Sequence, residues 1–103
     1  MGFFDFLTGG SVSKEELTQL IKDNALLVDV RTPAEFASGT AGSAINIPLD
    51  RVQANLERFK NQKHIIVFCR SGARSNQAKM ILQQNGFNNV TNGGSVDVMA
   101  NLI

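Results

Sequence analysis

The sequence has few of the residues that build covalent or metal-linked structure: among 103 residues it holds one cysteine, one histidine and two prolines, and no tryptophan or tyrosine. A single cysteine cannot close an internal disulfide, and His64 alone cannot complete a Cys/His metal site. We therefore expect no metal and no cofactor. A lone free thiol also suits a reducing compartment, which we take to be the cytoplasm.

An excess of charge is also missing. Ten Lys and Arg side chains are balanced by nine Asp and Glu, which leaves a net charge of +1. Such a chain has no long-range field to recruit nucleic acid or an anionic membrane, so we expect neither as a partner. Any preference for an anion must be local.

The length fits one domain, and 43% hydrophobic with 18% charged residues is typical of an ordinary globular protein. We predict an apolar N-terminal extension over residues 1–10 and a single domain over residues 11–103. The opening MGFFDFLTGG has no Lys or Arg before its short apolar run, which contains Asp5. It does not resemble a secretory signal and is too short to span a bilayer. We favour packing of its phenylalanines on the domain over a weak membrane-surface or partner-binding segment.

Two helix starts carry a capping signature. Ser13 with Glu16, and Thr32 with Glu35, have the spacing of a capping box, and Pro33 suits a first helical position. Residues 49–59 place apolar side chains at helical spacing, and residues 75–85 predict a further helix that Gly86 would end.

Apolar, β-branched runs at residues 25–30 and 64–68 predict buried strands, and SAINIP and NNVT each predict a short one. The NGG that follows NNVT is typical of a turn. A last helix would start at Ser95. Strands and helices alternate, which favours an α/β fold with a mostly parallel sheet and helices on both of its faces.

The loop CRSGARS at residues 69–75 follows the most strand-like run of the chain. Ligands of open parallel sheets bind beyond the carboxyl ends of the strands, and Cys69 lies at such an end. A short glycine turn into a helix would point backbone N–H groups at the thiol, and with Arg70 and Arg74 these should lower its pKa and stabilise a nucleophilic thiolate. The alternative is a small buried hydrophobe, which the two arginines and the glycine disfavour.

Four stretches in order, across about residues 11 to 95, resemble motifs of the single-domain rhodanese, a sulfurtransferase: LLVDVRTPAEF, AINIP, CRSGARS and GFNNVTNGGS. The resemblance implies a three-layer fold around a sheet of about five mostly parallel strands. It also implies that the cysteine accepts a sulfane sulfur from thiosulfate or a persulfide and passes it, as a Cys69 persulfide, to cyanide or a thiol.

The resemblance assigns roles to the loop. Cys69 would be the sulfur carrier, and Arg70 and Arg74 would bind an anionic donor. The backbone N–H groups of the loop would cradle the outer sulfur, and they belong to Arg70, Ser71, Gly72, Ala73, Arg74 and Ser75. The expected partners are a small sulfur-containing anion and a protein or low-molecular-weight thiol.

Asp29, Arg31 and Glu35 match family positions of a supporting kind. We expect Arg31 and Glu35 to pair at i, i+4, and Asp29 to orient Arg31; a role for Asp29 in the site is the alternative. The chain departs from the family at GTAGSA, where Thr40, Ala41 and Ser43 replace the usual histidine, branched residue and glycine.

Two alternatives remain open. Phosphatases and arsenate reductases of the Cdc25 type resemble this fold but carry H-C-x5-R; here Cys69 to Arg74 is C-x4-R, and Phe68 precedes the cysteine. The shorter loop suits one sulfur atom better than a phosphate group. A non-catalytic rhodanese-like binding module is the other alternative, and the retained Cys69 and Gly72 disfavour it.

Overall fold

The computed structural model describes residues 12–103. The predicted extension over residues 1–10, and the first residue of the predicted domain, lie outside the described residues, so that division stays a prediction. The α-helices are α1 (Lys14–Lys22), α2 (Pro33–Ala37), α3 (Ala73–Gln84) and α4 (Val96–Leu102), and the strands are β1 (Leu26–Asp29), β2 (Ile45–Asn46), β3 (Ile65–Cys69) and β4 (Val90–Ser95).

The strands form one parallel sheet in the order β2-β1-β3-β4. The predicted α/β class and parallel sheet are confirmed. The sheet has four strands within residues 12–103, compared with the expected number of about five. No helix in this part of the chain is long and apolar enough to cross a bilayer.

The central strand β3 is buried along its whole length, and its side chains alternate between two cores. Ile65, Val67 and Cys69 face the core that contains α3, whereas Ile66 and Phe68 face the core that contains α1 and α4. This alternation is the period of two that a strand imposes. Burial of each large aliphatic side chain stabilises the fold by ~1.5–3 kcal/mol. Packing on both faces of the sheet therefore holds the carboxyl end of β3 in place.

Both predicted capping boxes are present. Ser13 accepts from the N–H of Glu16, Thr32 accepts from the N–H of Glu35, and each glutamate returns a bond to the cap residue. Gly86 follows α3 with a φ of 93°, the left-handed conformation expected for it.

Residues 49–59 are helical but not α-helical. They form two 3₁₀ segments, Leu49–Arg51 and Gln53–Phe59, and Asn55 inside the second has non-helical backbone angles. The Asn55 side chain donates to the carbonyl of Arg51 at 2.8 Å, a local bond that competes with the helical ladder. The segments still bury Phe59 in the core.

The predicted turn at NGG is wrong. These residues belong to β4, which pairs with β3 up to Ser95. The pairing passes from Asn92 opposite Val67 to Gly94 opposite Phe68, so Gly93 is the extra residue of a bulge. A Cβ on Gly93 would lie 2.7 Å from a methyl of Ile66, so only glycine allows this close approach to the core.

Candidate active site

Cys69 is the last residue of β3, and three residues separate it from the start of α3. The turn is possible because Gly72, the N-cap of α3, has a φ of 100°. An L side chain is strained in that left-handed region, which explains glycine at this position. The turn folds the beginning of α3 back over the thiol.

The Cys69 sulfur is surrounded by hydrogen-bond donors. The N–H of Gly72 donates to Sγ at 3.0 Å and the N–H of Ser75 at 3.4 Å, and the Ser75 hydroxyl lies 3.4 Å away. Both Cys69 and Ser75 are fully buried. Two of the N–H groups predicted to cradle an outer sulfur, those of Gly72 and Ser75, thus donate to Sγ itself; the cradle around an outer sulfur stays a prediction.

These donors affect the pKa of the Cys69 thiol. Burial is the largest influence and raises the pKa of Cys69, but the bonds from the Ser75 hydroxyl and from the N–H groups of Ser75, Gly72 and Ser71 outweigh it. The net pKa lies below that of an ordinary cysteine. The site therefore shifts the equilibrium of Cys69 towards the thiolate, the nucleophilic form of the side chain.

Arg74 is held by a carboxylate of another element. Its guanidinium donates two bonds to Glu35, at 2.8 and 3.1 Å. This pair, with the Thr32 N–H, lowers the pKa of Glu35 to about 2, and the pKa of Arg74 is raised, first by Glu35 and further by the charge of Cys69. The expected pairing of Arg31 with Glu35 is wrong, because Glu35 bonds to an arginine 39 residues away.

Arg31 bonds to Asp29 rather than to Glu35. Its guanidinium makes a bidentate bond to Asp29, with 2.7 Å between Nη2 and Oδ2, and also donates to the carbonyl of Gly39 at 2.7 Å. Thr40 donates to the same Asp29 oxygen at 2.8 Å, so the residue in place of the family's histidine has a structural partner. Asp29 is fully buried and orients Arg31, as predicted.

The two arginines of the loop are thus not equivalent. Arg70 is exposed, and within residues 12–103 it forms no ion pair, whereas the positive charge of Arg74 is largely compensated by Glu35. Ser71 and Ala73 are exposed beside Arg70 at the surface of the loop. Of the two arginines predicted to bind an anionic donor, Arg70 has no ion pair among the described residues and Arg74 is paired with Glu35; their binding of a donor stays a prediction.

An open cavity of about 280 Å³ lies next to Arg74. It is lined by Val30, Thr32, Pro48, Leu49, Asp50 and Arg74. Its largely apolar wall at the carboxyl ends of β1 and β2 provides room for a small molecule beside the loop. Among the described residues, no three His, Cys, Asp or Glu side chains come together to hold a metal ion.

Asn92 is the site residue that the sequence did not reveal. It lies on β4 and bonds to two loop residues: its side-chain amide donates to the carbonyl of Gly72 at 3.0 Å and accepts from the Ser75 hydroxyl at 2.7 Å. The only sequence signal is an asparagine directly before a glycine pair, which is also typical of a turn.

The sequence matches the rhodanese-like domain family over residues 13–98. The chain belongs to this family. A sulfurtransferase of Allochromatium vinosum is 37% identical over 83 residues, which cover 79% of this chain and 78% of that protein. Human single-domain sulfurtransferase TSTD1 has 30% identity and a TM-score of 0.66, over 80% of this chain and 86% of that one. A tRNA uridine(34) hydroxylase of Acinetobacter baylyi is 36% identical over 92 residues, 82% of this rhodanese-like chain but 29% of the hydroxylase.

Proposed function

We propose that this rhodanese-like protein is a sulfurtransferase that carries a sulfane sulfur on Cys69. The observation that supports this most directly is the set of donors around one buried sulfur: two N–H groups and a hydroxyl lie within 3.4 Å of Sγ. This arrangement stabilises a thiolate without a histidine base, and the described site has none, since His64 lies at the opposite end of β3.

The proposed transfer has two steps. The Cys69 thiolate attacks the outer sulfur of thiosulfate; a new S–S bond forms, the bond to the sulfonate sulfur breaks, and sulfite leaves with its electron pair. Cyanide or a thiolate then attacks the outer sulfur, and the Cys69 thiolate leaves with the electron pair of the broken S–S bond. Neither step needs an external oxidant or reductant, because each bond that breaks is replaced by one new bond to the outer sulfur: a sulfur–sulfur bond in the first step, and a sulfur–carbon bond (cyanide) or a sulfur–sulfur bond (thiol) in the second.

Arg70 is the group we assign to attraction of the anionic donor. It is exposed at the mouth of the loop and is not engaged in an ion pair within the described residues. Arg74, compensated by Glu35, instead fixes the rim of the cavity against α2. The expected partners remain a small sulfur-containing anion and a protein or low-molecular-weight thiol, in a reducing compartment such as the cytoplasm.

Phosphate hydrolysis is the runner-up that the loop geometry disfavours. The N–H groups of Gly72 and Ser75 already converge on Sγ itself, and the four residues between Cys69 and Arg74 form a narrow turn. A tetrahedral oxyanion needs donors arranged around a larger centre. A purely binding role would leave the low pKa of a buried thiol without a use.

The test is turnover with thiosulfate and cyanide, followed as thiocyanate. We expect activity in the wild type and none in Cys69→Ser, whose side chain is nearly isosteric. Sulfurtransferase turnover that survives in Cys69→Ser would contradict the mechanism. Cys69-dependent hydrolysis of a small aryl phosphate, without sulfur transfer, would instead support the phosphatase alternative.

A further inference from the structure

Asn92 connects the two elements that build the thiolate site. Its side-chain amide donates to the carbonyl of Gly72 at 3.0 Å, and its oxygen accepts from the N–H of Gly94 at 2.9 Å and from the Ser75 hydroxyl at 2.7 Å. The orientation of the amide is unambiguous, because a carbonyl faces its nitrogen and a backbone N–H faces its oxygen. The oxygen thus accepts two hydrogen bonds, and one of the two N–H groups of the amide donates to the loop.

The residues that Asn92 holds are the ones that contact the sulfur. Gly72 supplies the shortest donor to Sγ, at 3.0 Å, and Ser75 supplies an N–H and a hydroxyl, each at 3.4 Å. The carbonyl of Gly72 also accepts from Asn76 within α3, so Asn92 is its second partner and fixes it from the side of the sheet. Directly after Asn92, the bulge at Gly93 brings the backbone of β4 close to Ile66 in the core.

The Ser75 hydroxyl has one proton and two acceptors. When Sγ carries no charge, as in the thiol or the persulfide, the hydroxyl donates to Asn92. When Cys69 is a thiolate, the hydroxyl can turn to Sγ, and the Asn92 oxygen still accepts from Gly94. The fully buried Ser75 therefore keeps an acceptor in both charge states, which avoids the cost of an unsatisfied buried hydroxyl.

We propose that Asn92 is a positioning residue for sulfur transfer, which holds Gly72 and the Ser75 hydroxyl in place around the Cys69 sulfur. The role rests on the function proposed above, since it is needed only if Cys69 alternates between a charged and an uncharged sulfur. Asn92 does not contact Sγ and acts through the two loop residues.

The rate of alkylation of Cys69 by iodoacetamide, measured against pH, tests the role. Asn92→Ala should raise the pKa of the thiol, because water can replace the lost acceptor of Ser75 at this half-buried position but cannot hold the loop in place. We expect roughly three- to tenfold less thiolate at pH values below the pKa, which corresponds to about half to one unit. Asn92→Ser, an uncharged change whose shorter side chain withdraws the donor from Gly72, should shift the profile in the same direction.

Asn89→Ala is the matched control. Asn89 also lies beside β4 and donates to backbone carbonyls, those of Gln62 and Lys63, at 2.7 and 3.3 Å, but at the other end of the sheet. It should lower stability to urea without a change in the alkylation profile. If Asn92→Ala fails to fold, the uncharged Asn92→Ser still gives the answer. Profiles of the folded Asn92 variants that match the wild type and Asn89→Ala would overturn the proposal.

A second comparison asks whether Asn92 acts through Ser75. In a Ser75→Ala background, the effect of Asn92→Ala on the pKa should be smaller than in the wild type, because one of its two routes to Sγ is gone. An equal or larger effect would overturn that route. Alkylation needs no sulfur donor, so it tests whether Asn92 places the donors around Sγ even if the wild type fails to transfer sulfur. That failure would count against the proposed function, and against the use of this placement in sulfur transfer, but not against the placement itself.

Discussion

Gly72→Ala separates the geometry of the loop from the stability of the fold. Gly72 has a φ of 100°, where an L residue is strained by ~1–2 kcal/mol. The added methyl would lie 3.4 Å from Cα of Gly94, an ordinary contact, so the cost is conformational. Either the strain stays and lowers the free energy of unfolding, or the loop moves and the N–H of Gly72 leaves Sγ.

If the loop moves, the expected change in the pKa of Cys69 can be calculated. A hydrogen bond to a charged acceptor contributes ~1.5–3 kcal/mol, so its complete loss would raise the pKa of Cys69 by about one to two units. We expect Gly72→Ala to show a measurable part of this rise in the pH profile of alkylation, together with a loss of up to ~2 kcal/mol in urea unfolding.

Gly86→Ala provides the control with equal backbone strain. Gly86 has a φ of 93°, and a methyl there meets no atom within 4 Å. It follows the other end of α3, so it should cost a similar free energy of unfolding and leave the alkylation profile unchanged. If Gly72→Ala loses less stability than Gly86→Ala, the loop has moved to relieve the strain. An alkylation profile that still matches the wild type in that case would refute the assignment of Gly72 as a donor that sets the charge of Cys69.

Two further substitutions test other contacts. Gly93→Ala should destabilise the fold by ~1–3 kcal/mol in urea unfolding, because its Cβ would lie 2.7 Å from a methyl of Ile66; an unchanged midpoint would contradict the close packing of the bulge. Glu35→Gln should reduce stability most at neutral pH. The pKa of Glu35 is lowered to about 2 in the fold, so its contribution is complete above the ordinary value of about 4.3 and is lost as the pH falls towards 2. The difference between wild type and Glu35→Gln should therefore be smaller at pH 3 than at pH 6, and a constant difference would contradict the ion pair.

Structural features that depend on residues close together in the chain could be predicted from the sequence. The capping boxes at Ser13 and Thr32 depend on residues three positions apart, and the end of β3 at Cys69 follows from an apolar run that stops at a glycine loop. These are local choices of the backbone and its nearest side chains. The order of the motifs then placed the thiol at the carboxyl edge of the sheet.

Contacts between distant elements could not be predicted. Glu35 has an arginine four residues before it, yet it bonds to Arg74, because Arg31 is drawn to the buried Asp29. The role of Asn92 depends on a bulge that forms only when β4 pairs with β3. In both cases tertiary packing decides between local alternatives of similar free energy, and one sequence does not show which partner is nearby.

The central claim is that Cys69 carries sulfur, and intact-mass measurement tests it most directly. The purified protein is incubated with thiosulfate, separated from it, and measured before and after treatment with cyanide. We predict a gain of one sulfur atom on Cys69 that cyanide removes, and no gain in Cys69→Ser. A wild-type protein that shows no cyanide- or thiol-reversible adduct would contradict the account.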